Sequence, residues 1–215
     1  MSNIAPASQI AILGVGKMGA AMARELVAAG HTVHLWNRHK DVADALVSSL
    51  SQGAIYSHTL VNSAIQEADL AICTFTNGQV TQSILLDDPK LFSDVKSNLI
   101  VVDMGTSGVE CAQRLDQALS SQAIAFIDAP VSGSVATIAT HQLLVMASGR
   151  ESDIAIASPI FAAFAKKTAY LGEAGSGQAM KLAVNLIVHT LSTAVSESLA
   201  LASAHGIDPA AAYDV

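Results

Sequence analysis

Near the start of the chain, the stretch ILGVGKMGAAMARELVAAGHTVHLWNR sets Gly14, Gly16 and Gly19 in the spacing G-x-G-x-x-G, between a short apolar run and a segment of helical pattern. No other feature narrows the fold as far. After a strand, the first glycine permits a tight turn, the second lets a ligand approach the backbone, and the third lets the helix pack closely on the sheet. The N–H groups that open such a helix, here around Val15, Lys17 and Met18, have no partner within it and face an anion. With the strand "HTVHLWN" (31–37) following at the right distance, the motif predicts a turn that binds the pyrophosphate of a dinucleotide.

The rest of the chain agrees with that frame. The runs 9–14, 31–37, 69–75, 98–105 and 123–130 read as strands, and most are apolar along their whole length. Strands of that kind are covered on both faces, as in a parallel sheet between helices. The intervening segments 18–29, 40–50, 78–86 and 107–121 have helical length and good helix formers, so the expected fold is α/β, a doubly wound, mostly parallel Rossmann-type sheet. Two further strands, 143–148 and 168–172, flank a helix at about 152–165. From Gly177 to about His205 one long helix follows, closed by Gly206 and Pro209 in "GIDP". The expected division is a dinucleotide-binding domain over 1–172 and, over 173–215, an interdomain helix with the start of a helical domain.

The end of the second strand selects the dinucleotide. NAD sites usually carry Asp or Glu there for the ribose 2′-OH. This chain reads "WNRHK": Asn37 and Arg38 offer an amide and a guanidinium fork suited to a 2′-phosphate, which favours NADP(H) over NAD(H). The competing reading is a solvated basic turn.

Composition excludes other classes. A formal net charge of -7, with 11 Lys and Arg and no basic run, gives no footprint for nucleic acid or an anionic membrane. Cys73 and Cys111 lack zinc-ligand spacing and read as buried or half-buried thiols, with no metal implied. The start "MSNIAPASQ" has no apolar core of a signal peptide, and the long Ala-rich helix is interrupted by His189, Ser192, Ser196, Glu197 and Ser198. A soluble cytoplasmic protein with that helix buried is the expectation. On it, Lys181 and Asn185 stand four residues apart and so share one face, which is either a wet surface or a site.

Several separated blocks carry a resemblance. Met18 before Gly19, "GHTVHLWNR", "DMGTS" (103–107), "DAPVSG" (128–133) and "GEAGSGQAMKLAVN" (172–185) are similar, in order and spacing, to the β-hydroxyacid dehydrogenase family, which includes 3-hydroxyisobutyrate dehydrogenases and tartronate semialdehyde reductases. The resemblance implies Lys181 as general acid/base, Asn185 as a substrate hydrogen-bonding group, and Ser132 and Gly133 as the loop for the substrate carboxylate. It also implies cofactor contacts from Thr74, Phe75 and Thr106 at the carboxyl edge of the sheet. Phe75 replaces the family's usual proline, so only a backbone contact carries over, and Thr106 is equally well an N-cap of the next helix.

Other departures are Ser134, Thr137 and His141 where the family has glycines, and Ile138 where it has a small residue. His141 and His189 are candidate polar additions to the pocket. The family continues past "GIDP" into a helical domain, whereas this chain stops at "AAAYDV", which suggests that the apolar face of its last long helix packs on a second copy. Two functions stay open. One is an NADP(H)-dependent oxidoreductase for a small β-hydroxyacid or its semialdehyde or keto-acid counterpart, with imine reductases as a variant that commonly replaces the lysine. The other is a non-catalytic dinucleotide-binding or interaction module.

Overall fold

The computed structural model describes residues 7–50 and 53–215. The first elements are β1 (Gln9–Leu13), α1 (Lys17–Ala28), β2 (Thr32–Trp36), α2 (Lys40–Ser49), β3 (Ile55–His58) and α3 (Val61–Ile65). Next come β4 (Leu70–Cys73), α4 (Gly78–Leu86), β5 (Ile100–Asp103), α5 (Val109–Ser120), β6 (Ala125–Asp128) and β7 (Val131–Ser132). The chain then forms α6 (Val135–Ala139), β8 (Leu143–Gly149), α7 (Glu151–Phe161), β9 (Ala165–Tyr170), α8 (Ser176–Ala204) and α9 (Pro209–Asp214).

Among the described residues the strands form a nine-stranded sheet in the order β3-β2-β1-β4-β5-β6-β8-β7, with β9 paired to β8. The first six are parallel, and β8 turns antiparallel against β6. This is the doubly wound α/β fold expected from the apolar runs. Alternate residues of β1 show why: Ile10 and Ile12 enter one core layer with Met22 and Leu26 of α1, while Ala11 and Leu13 enter the other with Ala112 and Leu115 of α5. A strand packed on both sides has no polar face to display. Cys73 and Cys111 are buried free thiols, and burial pushes the Cys73 thiol well above its ordinary pKa.

β3 escapes a search for apolar runs because, at the sheet edge, only Ile55 of its four side chains is buried. β9 begins before the expected 168, since its first half carries the exposed Lys166 and Lys167.

The chain falls into two compact units, Met1–Ala179 and Met180–Val215. The division lies within α8, past the expected 172/173 boundary, because Gly177 and Gln178 are bound into the first unit. In the second unit, the long helix departs from the expectation of burial. Leu182, Leu186, Ile187, Leu191 and Leu201 are each more than half exposed in this chain. An apolar segment predicts a need for cover, and these side chains are exposed among the described residues. By length and composition alone α8 is also long and apolar enough to cross a membrane. α9 is held at its start by Asp208, whose Oδ1 accepts from the Ala210 and Ala211 N–H groups at 3.0 and 3.2 Å.

Candidate functional site

The glycine loop is built by three close approaches. Gly14, at φ 97°, donates its N–H to the Trp36 carbonyl at 2.8 Å, and its own carbonyl accepts from Thr74 Oγ1 at 2.6 Å. Gly19 sits against that carbonyl: a Cβ there would collide with Gly14 O and stand 2.6 Å from Thr74 Oγ1. Gly16, by contrast, has an ordinary φ of -75°, and a Cβ on it would meet nothing within 4 Å. Two glycines are thus required by the fold, and the third leaves open space at the first turn of α1, where no side chain caps the helix. That opening fits an incoming phosphate, which the N–H groups and the helix dipole both favour.

Beside the loop lies a cavity of about 240 Å³ lined by Gly14, Gly16, Trp36, Arg38, Thr74 and Phe75 among others. Trp36 and Phe75 meet edge to face with ring centres 6.4 Å apart, and the Phe75 ring lies against Gly14. At the end of β2, Asn37 is engaged on both sides: its Oδ1 accepts from the Val15 N–H at 2.9 Å and its Nδ2 donates to the His39 carbonyl at 3.0 Å. Lys40 pairs with Asp44 at 2.6 Å. Arg38 is exposed, with no ion pair among the described residues, and faces this cavity. Val15 is buried and offers only backbone; Met18 is half-buried against the core, and Lys17 is exposed.

Four buried polar side chains with no role assigned from sequence, Asp103, Asp128, Ser148 and Gln178, gather where the ends of β5 and β6 meet the start of α8. Asp128 Oδ2 accepts from Ser148 Oγ at 2.9 Å and from the Gly175 and Gln178 N–H groups at 3.1 Å, and its Oδ1 accepts from Gln178 Nε2 at 2.9 Å. Burial raises the pKa of Asp128, and these donors oppose the rise. Its register neighbour Asp103 is buried too, and burial pushes its carboxyl up to about 6, with Asp128 adding to the rise. The Gly105 N–H, at 3.0 Å from Oδ1, opposes the rise. The nearby Ser107 hydroxyl also opposes the rise, although neither Asp103 Oδ2 nor Ser107 Oγ has a well-formed hydrogen bond among the described residues. The legible signal was a carboxylate closing each apolar strand run, in "VVDMG" and "IDAP".

Thr106 is exposed on the loop between β5 and α5, and the N-cap of α5 is Gly108, at φ 93°; the N-cap reading of Thr106 is therefore not met. Ser132 is half-buried in β7, and Gly133, at φ 140°, is pressed by Thr137 Oγ1 so that no Cβ fits. The departures that follow have structural reasons. The Ser134 N–H donates to Thr137 Oγ1 at 2.7 Å at the start of α6, and Ile138 is fully buried in the core. His141, at φ 54°, sets Nε2 3.0 Å from Glu25 of α1, so its ring pairs with a surface carboxylate instead of adding to a pocket. In the second unit Lys181 and Asn185 share a face of α8, both half-buried, and burial lowers the Lys181 pKa. His189 is exposed.

Residues 9–172 match the NAD-binding domain of 6-phosphogluconate dehydrogenase, and residues 175–215 match the NAD-binding region of NADP-dependent 3-hydroxyisobutyrate dehydrogenase. The chain belongs to the β-hydroxyacid dehydrogenase family. The 3-hydroxyisobutyrate dehydrogenase of Pseudomonas aeruginosa is 30% identical over 211 residues, 97% of this chain and 68% of the relative. The NAD-dependent L-serine dehydrogenase of the same organism is 30% identical over 200 residues, 93% of this chain and 66% of the relative. A solved structure of the Mycobacterium tuberculosis 3-hydroxyisobutyrate dehydrogenase with L-serine superposes with a TM-score of 0.80 at 29% identity, covering 94% of this chain and 67% of that one. The chain thus spans about two thirds of the length of these family members.

The glycines separate fold from ligand binding in a measurable way. Gly19→Ala should lower stability by about 1–3 kcal/mol, because its Cβ enters occupied space. Gly16→Ala should leave thermal unfolding unchanged or slightly raised, by up to about 1 kcal/mol, while weakening nucleotide binding. Equal loss of stability in both variants, by calorimetry, would contradict this division.

Proposed function

We propose that the chain acts as an NADP(H)-dependent oxidoreductase on a small β-hydroxyacid or its semialdehyde or keto-acid counterpart. The observation that carries the reading is Lys181, a half-buried lysine whose proton is loosened by burial, one helical turn before the amide of Asn185. When bound, the nicotinamide supplies or accepts the hydride. Lys181 as an ammonium donates to the oxygen of a carbonyl being reduced; as a neutral amine it takes the hydroxyl proton in the oxidation. Asn185 orients that oxygen, and the Ser132 hydroxyl with the neighbouring Gly133 N–H holds the carboxylate without adding a titrating group. The relatives named for 3-hydroxyisobutyrate and L-serine support this substrate class, since both compounds carry a carboxylate and a hydroxyl on the β-carbon.

Preference for NADP(H) over NAD(H) rests on the end of β2. No carboxylate closes β2 for a 2′-OH, the Asn37 side chain is engaged by the glycine loop, and Arg38, with no ion pair among the described residues, lines the cavity. Arg38→Ala should remove most of the preference, a loss of about 1.5–3 kcal/mol for a charge-assisted contact. Calorimetric titrations giving equal affinities for NADPH and NADH in the parent chain would sink the assignment.

The pH dependence follows from the direction of the Lys181 shift. Because the folded-state pKa is lowered, the neutral amine forms below the ordinary lysine value of about 10.4. Oxidation should therefore rise, and reduction fall, as pH passes through that lowered value. A carbon NMR titration of the Lys181 side chain should place its midpoint on the same limb. Lys181→Met should abolish both limbs and cost roughly 10²–10⁴-fold in turnover. Thermal unfolding should be unchanged or slightly raised at neutral pH, where a partly desolvated charge has been removed. Turnover surviving in that variant would assign the proton to another group.

Assembly belongs to the same reading. The exposed Leu186, Ile187 and Leu191 of α8, at 69%, 60% and 60% exposure, form apolar surface of the kind that marks an interaction site. A second copy of the chain covers it in this proposal. Light scattering should report a dimer or larger species at micromolar concentration; a stable monomer that binds no hydrophobic dye would refute it.

A further inference from the structure

Gln178 is fully buried at the root of α8, and its side chain makes every hydrogen bond an amide can make. Its Oε1 accepts from the Ser107 and Gly108 N–H groups, both at 3.1 Å. Its Nε2 donates to the Gly105 carbonyl at 3.1 Å and to Asp128 Oδ1 at 2.9 Å. Three of the four partners are backbone groups of one short loop, residues 105–108, which carries Thr106. The fourth is the carboxylate that also accepts from the Gln178 N–H. The loop is otherwise tied by the Gly105 N–H to Asp103 Oδ1 at 3.0 Å and by the Gly108 carbonyl, which accepts from the Ala112 N–H of α5 at 3.1 Å. An apolar side chain at 178 would strand the Ser107 and Gly108 N–H groups and the Gly105 carbonyl. The helix start, too, has no room to shift, since a Cβ on Gly177 would lie 2.6 Å from the Met146 carbonyl.

We propose that Gln178 is a positioning residue that locks the 105–108 loop and the first turn of α8 into one rigid piece. What the loop binds is then felt at the root of the helix that bears Lys181 one turn further on. The consequence for catalysis rests on the roles given to Thr106 and Lys181 above; the mechanical link itself does not. The link predicts that the two segments open together, although they lie about 70 residues apart in the chain.

Hydrogen exchange on the 215-residue chain tests this. In the parent, the amides of 105–108 and 176–182 should show matching protection factors and gain protection together on adding NADPH. In Gln178→Leu, both segments should lose protection by about tenfold or more and cease to match, with the rest of the sheet unchanged. Gln178→Glu keeps the acceptor for Ser107 and Gly108 but sets a carboxylate against Asp128. It should keep the two segments matched at pH 5, where the added carboxyl holds a proton and can donate to Asp128, and lose the match at pH 8, where two carboxylates would face each other. That rescue decides the matter even where Gln178→Leu does not fold. Segments that stay matched in Gln178→Leu, or a uniform loss of protection across the whole sheet, would overturn the proposal. Should the parent bind no NADPH, the cofactor reading falls, and the ligand-free comparison still decides the role of Gln178.

Discussion

A carboxylate with no access to water needs donors arranged around it, and Asp128 shows how much of a fold can hang on that need. Four hydrogen bonds reach it, from Ser148 on β8, from the backbone of the 175–178 turn and from the Gln178 side chain. Burial alone would favour its neutral form, and the cluster of donors opposes this. Loss of one partner would leave a buried charge short of a donor, which is costly. The arrangement therefore fixes where β8, β6 and the entry into α8 meet, at the carboxyl edge of the sheet, where doubly wound folds bind their ligands.

The opposite edge of the same ligand region is organised by neutral groups. Thr74, the Gly14 carbonyl and the Asn37 amide join the ends of β4, β1 and β2 around the glycine loop. Asn37 acts as a strut that holds the Val15 N–H, and the exposed Arg38 beside it lines the cavity with its charge. The dipeptide Asn37-Arg38 thus divides two tasks that a single carboxylate could not perform together, shaping the loop and presenting positive charge.

How much of this could be read from the sequence depends on the distance over which each signal acts. Strands packed on both faces are apolar runs, so β1, β4, β5 and β6 announced themselves, and the glycine spacing located the loop. β3 did not, because an edge strand with one buried residue has no such run. Apolarity in the long helix predicted burial, yet pattern states only that a surface wants cover, and its residues are exposed in a single chain. Asp128, Gln178 and Ser107 were hidden for a different reason. Their meaning lies in pairings 50 to 71 residues apart, and no local period encodes those. His141 shows the reverse error: its chemistry suggested a pocket, while the structure pairs it with Glu25 in a left-handed turn.

The two cysteines carry a consequence of their own. Cys73 lies within β4 and Cys111 on α5, both enclosed in the same layer of the core, and burial holds both thiols in the protonated form. Only the thiolate reacts quickly with alkylating agents or peroxide. Both thiols are accordingly shielded from such reagents in the folded protein, and alkylation of these two cysteines tracks how often that layer comes apart. Its native thiols are a built-in clock for opening of the sheet, with no residue replaced.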